Sequence, residues 1–122
     1  MEQLKVWQLA MDIAKEIYVL TNEFPSEEKF GLTSQIRRAA VSIASNIAEG
    51  AGRYSDKEFA HFLSIASGSS FEVRTQLLIA ASLNYITKEK VDPLVKRLSE
   101  LEKMIFGFRR TLKKTNHLTS EI

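Results

Sequence analysis

Cysteine is absent from the 122 residues of this chain. That excludes disulfides, thiolate nucleophiles and cysteine-ligated zinc or iron–sulfur sites, and it fits a reducing, cytoplasmic setting. Proline occurs twice and glycine five times, so little stands in the way of long helices. Histidine occurs only at His61 and His117, which leaves metal and acid–base chemistry few anchors. No apolar run approaches the roughly 18–20 residues of a membrane span. The opening Met1-Glu2-Gln3-Leu4-Lys5 lacks the charged-then-apolar layout of a signal peptide. Nor is there a large charge of one sign. The formal net charge is +2, made of −3 over residues 1–35 and +5 over residues 36–122.

What is present is ordinary globular material, 44% hydrophobic and 26% charged, at the size of one domain. The hydrophobic residues recur at helical steps. A first segment, about 4–22, carries Leu4, Trp7, Met11, Ala14, Ile17 and Tyr18 as its expected buried stripe, and Glu23-Phe24-Pro25-Ser26 closes it. A second, about 32–49, places Leu32, Ile36, Ala39, Ala40, Ile43 and Ile47 on its main face and ends at Gly50-Ala51-Gly52. A third, about 56–84, opens on Ser55-Asp56-Lys57-Glu58, a capping box in which the Ser55 hydroxyl accepts from the Glu58 amide. Phe59, Phe62, Leu63, Ala66, Val73, Leu77, Ala80 and Ala81 mark its core face, while Ile65, Phe71, Leu78, Ile79 and Leu83 point elsewhere. A fourth, about 88–114, carries Leu94, Leu98, Leu101, Ile105, Phe108 and Leu112. It starts at Thr87, with Pro93 then lying inside it, or at Asp92-Pro93 as cap and first residue. Residues 115–122 read as a polar tail. Short connectors between helices of this length predict an all-α, antiparallel up-down-up-down four-helix bundle in a single domain, 1–122.

Reactive constellations are scarce. Glu58-Phe59-Ala60-His61 has the Glu-x-x-His spacing of two-metal bundles, but such a site needs a second pair and two further carboxylates. No Gly-x-Ser-x-Gly turn accompanies the serines. Gly50-Ala51-Gly52-Arg53 lacks both the Gly-Lys-Ser/Thr ending and the preceding strand of a phosphate loop. No catalytic, cofactor-binding or metal-ligating residue is therefore expected, no cofactor, no small-molecule substrate and no membrane partner.

Two features remain. The first is basic. Arg37 and Arg38 sit early in the second segment and Arg53 follows its closing glycine turn, and Lys103, Arg109, Arg110, Lys113 and Lys114 form a run without an acid. Arginine suits phosphate, and such a run could supply sequence-independent affinity for RNA or DNA. With only Phe106 and Phe108 beside it, and Phe108 on the core stripe, no single-strand stacking platform is expected. Equally, Arg37 and Arg38 could pair within the chain, with Glu49 or Glu72, and the run could be a solvated helix end favoured by the helix dipole. The second feature is apolar or neutral surface. From Gln35 to Ala48 and from Phe62 to Phe71 the helices are uncharged nearly all round apart from Arg37 and Arg38, whereas a solitary bundle needs one apolar stripe per helix. Gly68, which costs about 1 kcal/mol in a helix interior relative to Ala, implies a close approach. Gln35, Val41, Ser42, Ser45, Ile65, Gly68, Ser69 and Phe71 are the expected contacts between copies.

The stretch Phe30-Gly31-Leu32-Thr33-Ser34-Gln35-Ile36-Arg37-Arg38-Ala39-Ala40-Val41-Ser42-Ile43-Ala44-Ser45-Asn46-Ile47-Ala48-Glu49-Gly50 resembles a bacterial family of four-helix-bundle proteins, some encoded in intervening sequences of 23S rRNA genes and labelled ribosomal-protein-like. The likeness extends to Leu4-Lys5-Val6-Trp7, Glu23-Phe24-Pro25 and Gly52-Arg53. It implies a cytoplasmic up-down bundle that assembles into a ring-like homopentamer, with Gln35, Arg38, Asn46 and Glu49 structural or interfacial. The accessory proteins of diversity-generating retroelements look similar in fold and have a basic, nucleic-acid-binding surface. Two functions follow as expectations: a non-catalytic, self-assembling interaction module or scaffold, and an RNA- or ribonucleoprotein-binding protein.

Overall fold

The structure, a computed structural model, describes residues 4–121, with side chains as far as Leu112. The described residues form α1 (Lys5–Thr21), a 3-10 turn (Ser26–Glu28), α2 (Leu32–Ala51), α3 (Asp56–Ser82) and α4 (Lys88–Glu121). Each helix packs against the next and α4 closes on α1, leaving α1 and α3, and α2 and α4, across the diagonals. Cross-helix pairs fix the directions. Ser42 meets Ser69 while Gly50 lies against Phe59 and Phe62. Phe59 packs on Phe108 while Arg74 reaches Ser99. Arg97 pairs with Glu16 while Lys90 pairs with Glu23. Numbers rise on one helix as they fall on its neighbour, so the bundle is up-down-up-down, as the connectors predicted.

The core is a column of aliphatic side chains, with Ile13, Ile17, Ile36, Ile43, Ile47, Leu63, Leu77, Leu98, Leu101 and Ile105 almost wholly buried. Three of the four predicted stripes sit where their spacing placed them. That of α1 is turned: Val6, Ala10, Ile13, Ile17 and Leu20 are buried, Trp7, Met11 and Ala14 are partly buried, and Tyr18 is exposed. Both sets repeat at three- and four-residue steps, and the column takes the more aliphatic one. On α3, Phe59 and Phe62 are half-buried at the edge of the core, whereas Ser69, Ser70 and Gln76 are buried. The space that aromatic rings would fill is small there because α2 lies close. A Cβ at Gly50 would stand 2.7 Å from the Cβ of Phe62 and 2.9 Å from Cδ1 of Phe59.

The ends of the helices follow from local chemistry. Ser55 caps α3, its Oγ accepting from the Glu58 amide at 3.1 Å. The Glu58 carboxylate turns back to the Ser55 hydroxyl, which donates to it at 3.3 Å. Helix α3 stops at Ser82, short of the expected Asn84, because Asn84 takes a left-handed conformation with φ of 62°. The amides of Tyr85 and Asn84 then return to the carbonyls of Ala80 and Ala81 at 2.9 and 3.0 Å, the Schellman closure with asparagine in glycine's place. Helix α4 begins at Lys88, with Pro93 inside it, and runs to Glu121. The expected tail from 115 is thus helical as far as 121.

The two connectors at one end of the bundle are clasped by a carboxylate. Glu28 Oε1 accepts from the Leu32 amide at 3.0 Å, capping α2, and Oε2 accepts from the Tyr85 hydroxyl at 2.8 Å. A Cβ on Gly31 would lie 2.6 Å from that Oε1, so glycine here keeps the path of the Glu28 carboxylate open. The Leu32 amide, and after it the Tyr85 hydroxyl, hold the Glu28 carboxyl below the usual value of 4.5. Tyr85 is raised above 10.0, chiefly by the same hydrogen bond.

Candidate functional site

The four helices present unlike outer surfaces. Those of α1 and α4 carry exposed Lys5, Asp12, Lys15, Lys96, Glu100 and Lys103. They also expose Tyr18, Val19 and Phe106. Helices α2 and α3 carry exposed Val41, Ile65, Phe71, Leu78 and Ile79, continued by Leu83 just past α3, with Arg38, Glu49, Lys57, Glu58 and Glu72 as their exposed charges. Between His61 and Leu83 the charged residues are Glu72 and Arg74. Arg74 is withdrawn, half-buried and paired with Glu102 on α4. Gly68 lies on this outward face, and a Cβ built there would meet nothing within 4 Å. The helical glycines therefore differ: Gly50 is demanded by the chain's own packing, whereas Gly68, like Gly107 in α4, is not.

The expected contact residues divide accordingly. Gln35, Val41, Ser45, Ile65, Gly68 and Phe71 are exposed. Ser42 and Ser69 instead satisfy each other across the α2–α3 seam at 3.0 Å. Asn46 braces Ser42, its Nδ2 donating to the Ser42 carbonyl at 2.8 Å and to its Oγ at 2.9 Å. These polar groups belong to the bundle's own seam, because burying hydroxyls between close helices requires that they bond one another. The missed α1 stripe reappears on the other flank of α2. Met11, Ala14 and Tyr18 line a groove of about 410 Å³ with Val41, Ala44 and Ser45. The spacing of that stripe is visible in the sequence, but its placement outside the core is not.

The basic candidates separate in the same way. Arg37 is spent within the chain. Its Nε donates to Thr21 Oγ1 at 2.8 Å, its Nη2 donates to the Tyr18 carbonyl at 3.2 Å and to Asn22 Oδ1 at 3.1 Å, and its guanidinium lies 4.7 Å from the Tyr18 ring centre. It ties α1 to α2 without the carboxylate partner expected from the sequence. Arg38 stands exposed on the outer face of α2. Arg53 pairs with Glu49 one turn back and stacks over Phe62 at 4.9 Å. Lys103 and Arg110 are exposed, Arg110 lying 5.8 Å from the Phe106 ring centre. Arg109 is half-buried, its Nε enclosed without a hydrogen-bond partner among the described residues. Lys113 and Lys114 lie outside the residues whose side chains are described.

Among the described residues no group of three or more His, Asp or Glu is placed to share a metal ion, and no helix is long and apolar enough to cross a membrane. No curated protein matches the chain. A crystal structure at 1.70 Å of a protein of unknown function from the S23 ribosomal protein family of Bacteroides thetaiotaomicron superposes with a TM-score of 0.80 at 26% identity, over 86% of this chain and 95% of that one. The family model of the 23S rRNA-intervening sequence protein matches residues 2–107. With nearly the whole bundle matched and the same fold in a solved structure, the chain belongs to the 23S rRNA-intervening sequence protein family.

Proposed function

We propose that this protein is a non-catalytic, cytoplasmic scaffold subunit that associates with copies of itself through the outer faces of α2 and α3. The observation that carries the reading is the outward face of α3, which exposes Ile65, Phe71, Leu78, Ile79 and Leu83 around a glycine its own chain leaves open. Fully burying one such side chain contributes about 1.5–3 kcal/mol, and these are about half exposed. Five of them therefore hold several kcal/mol in reserve, set against the cost of association. The α1–α2 groove at Met11, Tyr18 and Val41 adjoins the same surface and offers a neighbouring ridge a seat. The ring of five copies implied by the sequence resemblance is the assembly expected.

Sedimentation equilibrium tests this. The wild-type chain should weigh about five times its 13.8 kDa at tens of micromolar. Gly68→Arg, whose Cβ would meet no side chain and no neighbouring helix within 4 Å, should sediment as a single subunit with unchanged helical circular dichroism. A wild-type monomer at that concentration, or a Gly68→Arg variant that assembles as well as wild type, would defeat the reading.

A further inference from the structure

The modest net charge conceals a division between the two ends of the bundle. One end gathers the start of α1, the α2–α3 connector and the later turns of α4, because antiparallel packing sets Leu4 beside Gly107 and Phe59 beside Phe108. Lys5, Lys57, Lys103 and Arg110 are exposed there, opposed by Asp56 and Glu58. Glu49 is occupied by Arg53. At the far end Glu23, Glu27, Glu28, Glu89 and Asp92 outnumber Lys29, Arg37, Lys88 and Lys90 by one. The basic end also carries bare rings. Tyr54, in the connector, is as exposed as a residue can be, at 103%, and Phe106 is 62% exposed. Arg110 lies over Phe106, while Arg53, next to Tyr54 in sequence, lies over half-buried Phe62, which His61 meets edge-on at 5.6 Å.

Charge alone would suit any polyanion, an acidic peptide included. Rings left in water beside guanidinium groups suit flat, apolar faces alternating with phosphates, which is the composition of an unpaired strand. A duplex hides its base faces in its own stack and would engage only the cations. We propose that this end of the bundle binds single-stranded nucleic acid, with bases stacking on Tyr54 and on the Arg53–Phe62 pair and phosphates neutralised by Lys57, Lys103 and Arg110. Arg37 takes no part, being committed to α1. The Arg53–Phe62 pair borders the α2–α3 seam, but strand binding and self-association are read by different assays, so this inference and the self-association reading are tested separately.

Fluorescence anisotropy of the full chain with labelled twelve-nucleotide oligo(U) and oligo(dT), and with a duplex of equal length, tests the proposal. The single strands should bind at 50 mM salt and weaken steeply by 200 mM. Tyr54→Ala should weaken binding roughly tenfold with the salt dependence unchanged. Lys103→Gln with Arg110→Gln should flatten that dependence. All three side chains are exposed, so circular dichroism should match wild type. Three results would overturn the proposal: no binding at 50 mM salt, Tyr54→Ala binding as wild type does, or the duplex binding as tightly as the single strands. If the strands fail to bind while the chain associates with itself only at low salt, the partner of the basic end is the acidic end of another copy.

Discussion

The same substitution at two glycines should move stability in opposite directions. At Gly68, alanine adds a Cβ that meets nothing within 4 Å. In a chain held as a single subunit, the change therefore brings only the gain in helix propensity, about 0.8–1 kcal/mol. At Gly50, the same Cβ would stand 2.7 Å from Phe62 Cβ, 2.9 Å from Phe59 Cδ1 and 3.3 Å from the Phe59 carbonyl oxygen. Phe62 Cβ is the stem of its side chain and cannot swing aside, so α2 and α3 must part or Phe62 must shift with its backbone. Overpacking of this kind costs about 1–3 kcal/mol, and the propensity gain near a helix end offsets only part of it. The net expectation is a loss of about 1–2 kcal/mol. Urea unfolding followed by circular dichroism, in an Ile65→Glu background that keeps subunits apart, measures both. For a chain of this length each kcal/mol corresponds to about 3–5 °C in Tm. Gly50→Ala stabilising as much as Gly68→Ala would refute the close α2–α3 crossing. Without the Ile65→Glu change, the proposed self-association predicts that the sign at Gly68 reverses at high protein concentration, because the added methyl would then meet another copy.

Other perturbations isolate single contacts. Ser55→Ala removes the acceptor for the Glu58 amide and should cost about 1 kcal/mol in urea unfolding. Arg37→Lys keeps the charge but loses the fork that joins Thr21, Asn22 and the Tyr18 carbonyl, for a loss of about 1–2 kcal/mol with strand binding unchanged in anisotropy. Because the Glu28 carboxyl is held below 4.5 in the folded chain, the stability it contributes is complete above that value and lost as pH falls through the lower folded value. Glu28→Gln should therefore flatten the acid side of a Tm-against-pH profile below about 4.5. Tyr85, raised above 10.0 mainly by that carboxylate, should ionise earlier in Glu28→Gln when followed by ultraviolet difference absorbance.

The helices were legible because their chemistry is local. Ser55 and Glu58 stand three residues apart, and the cap they form needs no information from elsewhere in the chain. The start of α4 was not legible, since Thr87 and Asp92 both offer caps, and only packing chooses between them. The stripe of α1 was misplaced because two adjacent faces are apolar, and which one turns inward depends on α2 and α4. Ser42 and Ser69 looked like surface for another copy because each is small and uncharged. Their bond spans 27 positions and depends on the register between two helices. The basic end was only half visible. A run from Lys103 to Lys114 shows in the sequence, but its company with Lys5, Lys57 and Tyr54 arises only when the chain doubles back three times.

The neutral outer surface of α3 also bears on the life of a newly made subunit. Between Ile65 and Leu83 it offers water a strip of isoleucine, leucine and phenylalanine with Glu72 as its one exposed charge. Surfaces of that kind recruit chaperones and seed precipitates. If the proposed self-association covers that strip, the lone subunit is the species most exposed to clearance, and dilution rather than crowding endangers it. A cell that makes this protein slowly should keep less of it than the rate of synthesis alone would give.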